Sequence, residues 1–322
     1  MISSDSTSDG IVYPTHMIDN VSVLKFLVVP WTMRFNDVLN TDKLHKSLLE
    51  LLNIGDWKKL GGRLRYGHNK RGALEVHVPT RYATERPAVS YSHQHYDISI
   101  KEHNAAKLLP KATGRPSTFQ GASGPRDFGI PPCAPATPKD YTSRDTPIIV
   151  GFSHLIEAWS TVLAGYKERV PKIIGANNDV LYDLGNISHA GPQYAASEDR
   201  ILLGVAFILF VIRMLWIILT QPIVENRIIC LPKSVVDRLN QRALEDIKGY
   251  DFAQDDPWVS PSDCILACLS HALVGSSKAP RSISMTTPID ARTRLSQLQN
   301  MDSVYVQNMI LGSFVNIAPD DL

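Results

Sequence analysis

The chain has little cysteine and almost no net charge, and each shortage removes a class of explanation. Four cysteines in 322 residues, Cys133, Cys230, Cys264 and Cys268, are too few for a disulfide framework. Cys264 and Cys268 lie four apart in "DCILACLSHAL", which puts them on one helical face. No Cys-x-x-Cys pair accompanies them, and free cysteine usually serves as a small buried apolar residue, so no metal site is expected. The formal charge is +1 with Lys and Arg scattered, which gives no electrostatic argument for a nucleic-acid partner. The opening residues, MISSDSTSDG, have no apolar core and so do not form a secretory signal. There is no glycine-rich phosphate loop of the Walker or Rossmann type and no repeat of solenoid period. Asn20 and Asn186 head Asn-x-Ser triplets, which would act as glycosylation acceptors only on a secretory route.

What is present fits a folded chain of about two domains: 44% hydrophobic and 20% charged residues. "VSVLKFLVVP" reads as a strand ended by proline. "NTDKLHKSLLELLN" reads as a helix capped by Asn40 or Thr41, with Leu44, Leu48, Leu51 and Leu52 on one face. "LGGRLRYG" is turn-rich, "GALEVHVP" alternates as a strand does, and "YDISIKEH" is read as another strand. Residues 110–147 are proline- and glycine-rich and predict an irregular excursion. "GFSHLIEAWSTVLAG" predicts a helix, and "PKIIGANNDVLYDLGNISHAGPQ" a loop. "ENRIICLP" is strand-like, "PKSVVDRLNQRALEDI" an amphipathic helix, and "SPSDCILACLSHALVGSS" a helix starting at Ser262 or Asp263. Strands are expected in "RSISMTTPIDARTRL" and "VYVQNMILGSFVNIAP".

Residues 201–219, "ILLGVAFILFVIRMLWIIL", are nearly all apolar. As a helix this run measures roughly 28 Å, close to the hydrocarbon core of a bilayer. Its leucines, isoleucines, valines and phenylalanines outweigh Arg213 on insertion scales, and Trp216 and Arg200 suit the interface. Membrane association through 201–219 as a single pass is therefore expected, with a cytoplasmic chain as the alternative.

One junction stands out. "DTPIIV" runs straight into "GFSHLIEAWSTVLAG", a strand-like run meeting a helix at Gly151, whereas such connections normally take several residues. The ordered set of pieces resembles the fungal branch of the acyl-CoA-dependent transferases called the BAHD family. "TDKLHKSLLELLNIGDWKKLGGRLR" is similar to its early helix and Gly-Arg turn, and "DYTSRDTPIIV" to the approach to its central strand. "GFSHLIEAWSTVLAG" is similar to the helix after its catalytic histidine, and "VENRIICLPKSVVDRLNQRA" to the start of its second domain. "SPSDCILACLSHALV" and "IDARTRL" resemble a later helix and strand.

The resemblance implies a two-domain α/β fold of chloramphenicol-acetyltransferase-like architecture, incomplete at the C-terminus. It divides the chain into 1–196, an apolar linker or membrane helix at 197–222, and 223–322. In the family a strand ends in His-x-x-x-Asp-x-x-Gly and the helix begins at that glycine. Here Gly151 and the helix are present, and the strand end with its histidine and aspartate is not. The second signature, Asp-Phe-Gly-Trp-Gly, is also absent. By resemblance the histidine takes the proton as an alcohol attacks a thioester, a task suited to a pKa near the working pH. The aspartate pairs with an arginine, for which Arg292 is the match, so Arg292 is expected to turn to water or another acid. Acetyl-CoA or another acyl-CoA is the implied co-substrate, with no tightly bound cofactor. A hydroxylated small metabolite is the implied acceptor, and the chain is expected to act as a monomer.

Three partial matches do not replace the missing residues. His93 and Asp97 form a literal His-x-x-x-Asp, but far upstream and with no glycine after them. Asp127-Phe128-Gly129 continues into Ile130-Pro131 and reads as a turn. Gly151 to Leu155 begins like a nucleophile elbow but lacks its second glycine. His154 is a candidate stand-in base, read here as a solvent-facing or capping residue. The expectation is an O-acyltransferase-like protein of fungal secondary metabolism, acetylating a terpenoid or polyketide alcohol and inactive as this shortened chain. A non-catalytic, membrane-attached binding or scaffold protein is the alternative, and an active transferase with a relocated base is a third reading.

Overall fold

Asparagine 40 starts the first helix as its short polar side chain predicts: Oδ1 accepts from the Lys43 N–H at 2.9 Å. That helix, α1 (Thr41–Leu51), buries Ser47 and Leu51. The computed structural model describes residues 10–21, 31–35, 37–67, 73–111, 113–120, 151–182, 203–221, 227–248, 258–275, 283–299 and 302–317. The stretch read as a strand at 21–30, the triplet at Asn186, Cys133 and Asp127-Phe128-Gly129 lie outside the described residues, apart from Val21.

The chain divides into two compact units whose segments interleave: 1–96, 131–192 and 288–312 in the first, and 97–130, 193–287 and 313–322 in the second. The first unit contains a three-stranded antiparallel sheet in the order β1 (Ile11–Pro14), β3 (Leu74–Val78), β2 (Arg63–Tyr66). Tyr13 faces Val76 across one pair, and Leu64 faces Val76 across the other. Leu74, Val76 and Val78 are buried while Glu75 and His77 are half-buried, the alternation of a strand with one face on a core. "LGGRLRYG" therefore yields a strand after its turn, because β3 offers a pairing edge. A Cβ on Gly62 would sit 2.5 Å from the Val76 side chain, so the turn needs glycine there.

Helix α2 (Phe152–Leu163) packs on α1, where the Trp159 indole N–H donates to Ser47 Oγ at 2.8 Å. Ala158 and Val162 face a core with Tyr13, Leu51, Trp57, Val76, Val78 and Val306. The short parallel pair β5 (Lys172–Ile173) and β8 (Ser303–Val304) closes this side. A second cluster gathers Ile18, Leu181, Ala291, Leu298, Tyr305 and Met309.

The second unit pairs β4 (Ser117–Gln120) with β6 (Arg227–Cys230) antiparallel, so the proline-rich excursion contains a strand. Helices α4 (Lys233–Ile247) and α5 (Pro261–Gly275) pack together, with Asn240 donating to the Val259 carbonyl at 2.8 Å. Ser260 caps α5, two residues before the expected start: its Oγ accepts from the Asp263 N–H and Asp263 returns a bond to the Ser260 N–H. Cys264 is buried and Cys268 exposed. Residues 283–290 (β7) and 310–317 (β9) form a two-stranded sheet.

Further expectations need correction. The stretch read as a loop from Pro171 contains β5, because Ser303–Val304 offers it a pairing edge. "YDISIKEH" forms no strand: the segment turns, with the Ser99 N–H bonded to Glu102 and a short 3-10 turn at Ala106–Leu108. Local side-chain bonds compete with the ladder there. The apolar run forms α3 (Gly204–Thr220), of 17 residues. Leu203 is extended and Gly204 has φ +58°, so the helix starts at Gly204. Its length of about 25 Å falls short of a hydrocarbon core of about 30 Å. Among the described residues no helix is long and apolar enough to cross a membrane, which overturns the expected span at 201–219 and the membrane association built on it.

Candidate functional site

The start of α2 at Gly151 is the junction singled out in the sequence. Gly151 is the N-cap and has no side-chain cap. Its N–H donates to the Val306 carbonyl at 2.7 Å, which joins the helix start to the segment 303–308. A Cβ at this position would meet Arg292 Nη2 at 3.2 Å and Val306 Cα at 3.5 Å, so glycine lets the guanidinium approach the backbone.

Arg292 is 13% exposed and fully committed. Its Nε donates to the Tyr305 carbonyl at 2.9 Å, and Nη2 donates to the Gln307 carbonyl. Nη1 pairs with Asp290 at 3.0 Å. The planar fork thus ties Asp290, Tyr305 and Gln307 together, which a lysine could not do. The Gln307 side-chain Nε2 beside it is buried without a partner.

Behind this junction lies a buried polar cluster. His16 has no exposure, with Nε2 2.8 Å from the Gly175 carbonyl and Nδ1 2.7 Å from the Tyr305 hydroxyl. The carbonyl can only accept, so Nε2 carries the proton and Nδ1 accepts from Tyr305. Asp19 accepts from the N–H groups of His16 (3.0 Å) and Asn308 (3.2 Å). Asp179 accepts from Met17 and Leu181 N–H groups and lies 3.6 Å from His16 Nδ1. Lys59, 1% exposed, donates to the carbonyls of Pro14 (2.9 Å) and Ala176 (3.1 Å). Burial depresses the His16 imidazole below its ordinary pKa, and the Lys59 ammonium adds to this. Burial lowers Lys59 to about 8 and raises Asp19 and Tyr305.

The residues singled out from sequence fall apart in space or in role. His93 and Asp97 are exposed and lie on no strand. His154 sits one turn into α2, with Nδ1 3.7 Å from Glu157 of its own helix. At that separation the contact is an ion pair only when the imidazole is protonated, and Nδ1 has no hydrogen bond. Asn20 is tied down: its Nδ2 donates to Thr15 Oγ1 at 2.7 Å and its Oδ1 accepts from Leu74 N–H at 2.9 Å. Among the described residues no group of three or more His, Cys, Asp or Glu is placed to hold a metal ion. An open hollow of about 540 Å³ runs along α2, lined by Ile156, Glu157, Ser160, Thr161, Tyr166 and Arg169 among others, and it includes none of the junction residues. His16, Asp19, Lys59, Asp179 and Tyr305 were invisible as a group in the sequence. The only hint is "THMID", polar residues directly after a short apolar strand.

The chain is similar to curated proteins along most of its length. The chain is 30% identical over 335 positions to acetyltransferase pyiB of Pyricularia grisea, covering 97% of this chain and 66% of that protein. It is 32% identical over 342 positions to acetyltransferase BOT5 of Botryotinia fuckeliana (97% and 62%). It is 29% identical over 340 positions to O-acetyltransferase PaAT-2 of Phomopsis amygdali (94% and 68%). Each match is longer than the 322 residues of this chain, so the relatives carry residues inside the matched span that have no counterpart here. No family model and no solved structure matches. The chain is therefore similar along nearly its whole length to fungal acetyltransferases, and it spans about two thirds of theirs.

Proposed function

We propose that this chain is an O-acyltransferase scaffold of the BAHD type, from fungal secondary metabolism, and that it turns over poorly because the proton-accepting strand end is missing between Val150 and Gly151. The reaction it descends from moves an acetyl group from acetyl-CoA to a hydroxyl of a terpenoid or polyketide intermediate. The alcohol oxygen attacks the thioester carbon as a base takes its proton. The tetrahedral adduct then collapses, releasing the CoA sulfur, which recovers a proton, and the ester. The observation that carries this reading is identity near 30% to acetyltransferases over 97% of the chain, in matches longer than the chain itself. Gly151 meeting Val306 and Arg292, with no family histidine or aspartate before it, supports the same conclusion.

The test is an assay of purified chain with acetyl-CoA and a panel of hydroxylated terpenoids and polyketides, following thiol release and ester by mass spectrometry. The chain should give only slow turnover, far below about 1 s⁻¹. A variant with a strand ending in His-x-x-x-Asp inserted between Val150 and Gly151 should gain about 10²–10⁴-fold, the usual worth of a general base. Turnover by the unaltered chain at about 1 s⁻¹ or faster, an ordinary enzymatic rate, overturns the proposal.

The absent base also favours a second reading, a binding protein without catalysis. Titration calorimetry with acetyl-CoA separates the two: this reading needs binding that His93→Ala and His154→Ala leave unchanged, with no ester formed even after the insertion.

A further inference from the structure

We propose that helix α3 is a self-association surface, along which two copies of this chain pair. Val205, Leu209, Ile212, Trp216 and Leu219 follow one another at spacings of four, three, four and three, the rhythm of a seam between two helices. Each of them is 56–77% exposed. On the far side of the helix Phe210, Val211, Met214 and Ile217 are 37–47% exposed, so the chain's own residues shield that side more. The seam is the side left open.

Area selects the occupant. The five seam residues and Ile208 beside them present roughly 800 Å² of mostly apolar surface, about one partner's share of a standard interface and more than the largest patch on a typical monomer. A second copy supplies a surface of the same size, and the seam matches itself. It carries no acid or base, and the Trp216 indole N–H is its one polar side-chain group. Two such seams related by a twofold axis cover each other and leave no charge buried between them.

Arg213 stands exposed at the edge of the seam, where its stem can lie along a neighbouring helix while the guanidinium reaches water. The formal charge of +1 puts little repulsion between copies. Seventeen residues are too few for a free coiled coil, but α3 is already helical within the chain, so pairing need only cover one face. A dimer replaces the monomer that the resemblance implied, and it stands whether or not the chain transfers acyl groups.

Sedimentation velocity of the purified chain over a range of concentrations tests the pairing. The chain should reach twice the 35.7 kDa mass of one copy and dissociate on dilution. Leu209→Glu combined with Trp216→Glu, which sets two charges in the seam, should raise the dissociation constant by at least about 100-fold. Phe207→Glu, on the far side and 52% exposed, should change it by less than about threefold. Hydrogen exchange in the unaltered chain needs no variant: α3 should exchange more slowly as the dimer forms, while α1 keeps its rate. The proposal is overturned by a monomer at every concentration, whether or not that monomer floats with phosphatidylcholine vesicles. A dimer that survives the paired glutamates, or that Phe207→Glu disrupts equally, overturns it too. So does an α3 exchange rate that stays constant while the mass doubles.

Discussion

The two units differ in how they treat apolar residues. In the first, side chains from six separated stretches of chain, around Tyr13, Trp57, Val76, Val162, Ile173 and Val306, meet in one core. In the second, among the described residues, only Ala105 and Cys264 are buried apolar residues. Helix α3 is the extreme case: Phe207, Leu209, Phe210, Leu215 and Trp216 are each 47–67% exposed. High hydropathy alone therefore does not make a core. A helix apolar on every side needs cover on every side, whereas α1 and α2 each need one partner and have each other.

The sharpest way to break this comparison is a matched pair of truncations. Trp57→Ala removes a fully buried ring whose indole N–H donates to the Pro171 carbonyl, and should cost about 3–5 kcal/mol in urea unfolding. Leu215→Ala in α3, 54% exposed, should cost under about 0.5 kcal/mol. Equal effects would erase the distinction between the units.

Arg292→Ala should cost about 2–4 kcal/mol, because the Tyr305 and Gln307 carbonyls lose their donor, while the exposed Asp290 adds little. Arg292→Lys should recover only part of it, since an ammonium cannot reach all three acceptors. Full recovery would mean that the charge alone matters there.

Lys59 gives a pH-dependent contrast. Folded, it loses its proton near pH 8, and unfolded near 10.5. Between those values the unfolded chain holds more protons, so stability should rise as pH goes from 8 toward 10. Lys59→Met should abolish that rise and cost about 1–3 kcal/mol at pH 7 by leaving two carbonyls unpaired. Above pH 10 the buried hydroxyls of Tyr13 and Tyr305, whose pKa values are raised, reverse the trend. Asn40→Ala should cost about 1 kcal/mol from one lost helix cap, less than any of these and more than only Leu215→Ala.

Local chemistry made some elements legible in advance. The cap at Asn40, the alternation in "GALEVHVP" and the apolar spacing of "GFSHLIEAWSTVLAG" each name their element, because neighbours in sequence supply the deciding interactions. "YDISIKEH" alternates as well as β3 does, yet turns, because a strand needs a second strand that sequence spacing does not promise. The apolar run at 201–219 was legible as a helix but not in its extent, since an extended Leu203 and Gly204 at φ +58° set its start.

The sequence by itself determined the helices with one apolar face, a stretch without histidine from 104 to 150, and the arginine available to an acid. Only tertiary structure decided which acid and which carbonyls hold Arg292, and that His16, Asp19, Lys59, Asp179 and Tyr305 share one buried site. Those partners lie up to 289 residues apart, and nothing local in the chain records a contact made that far away.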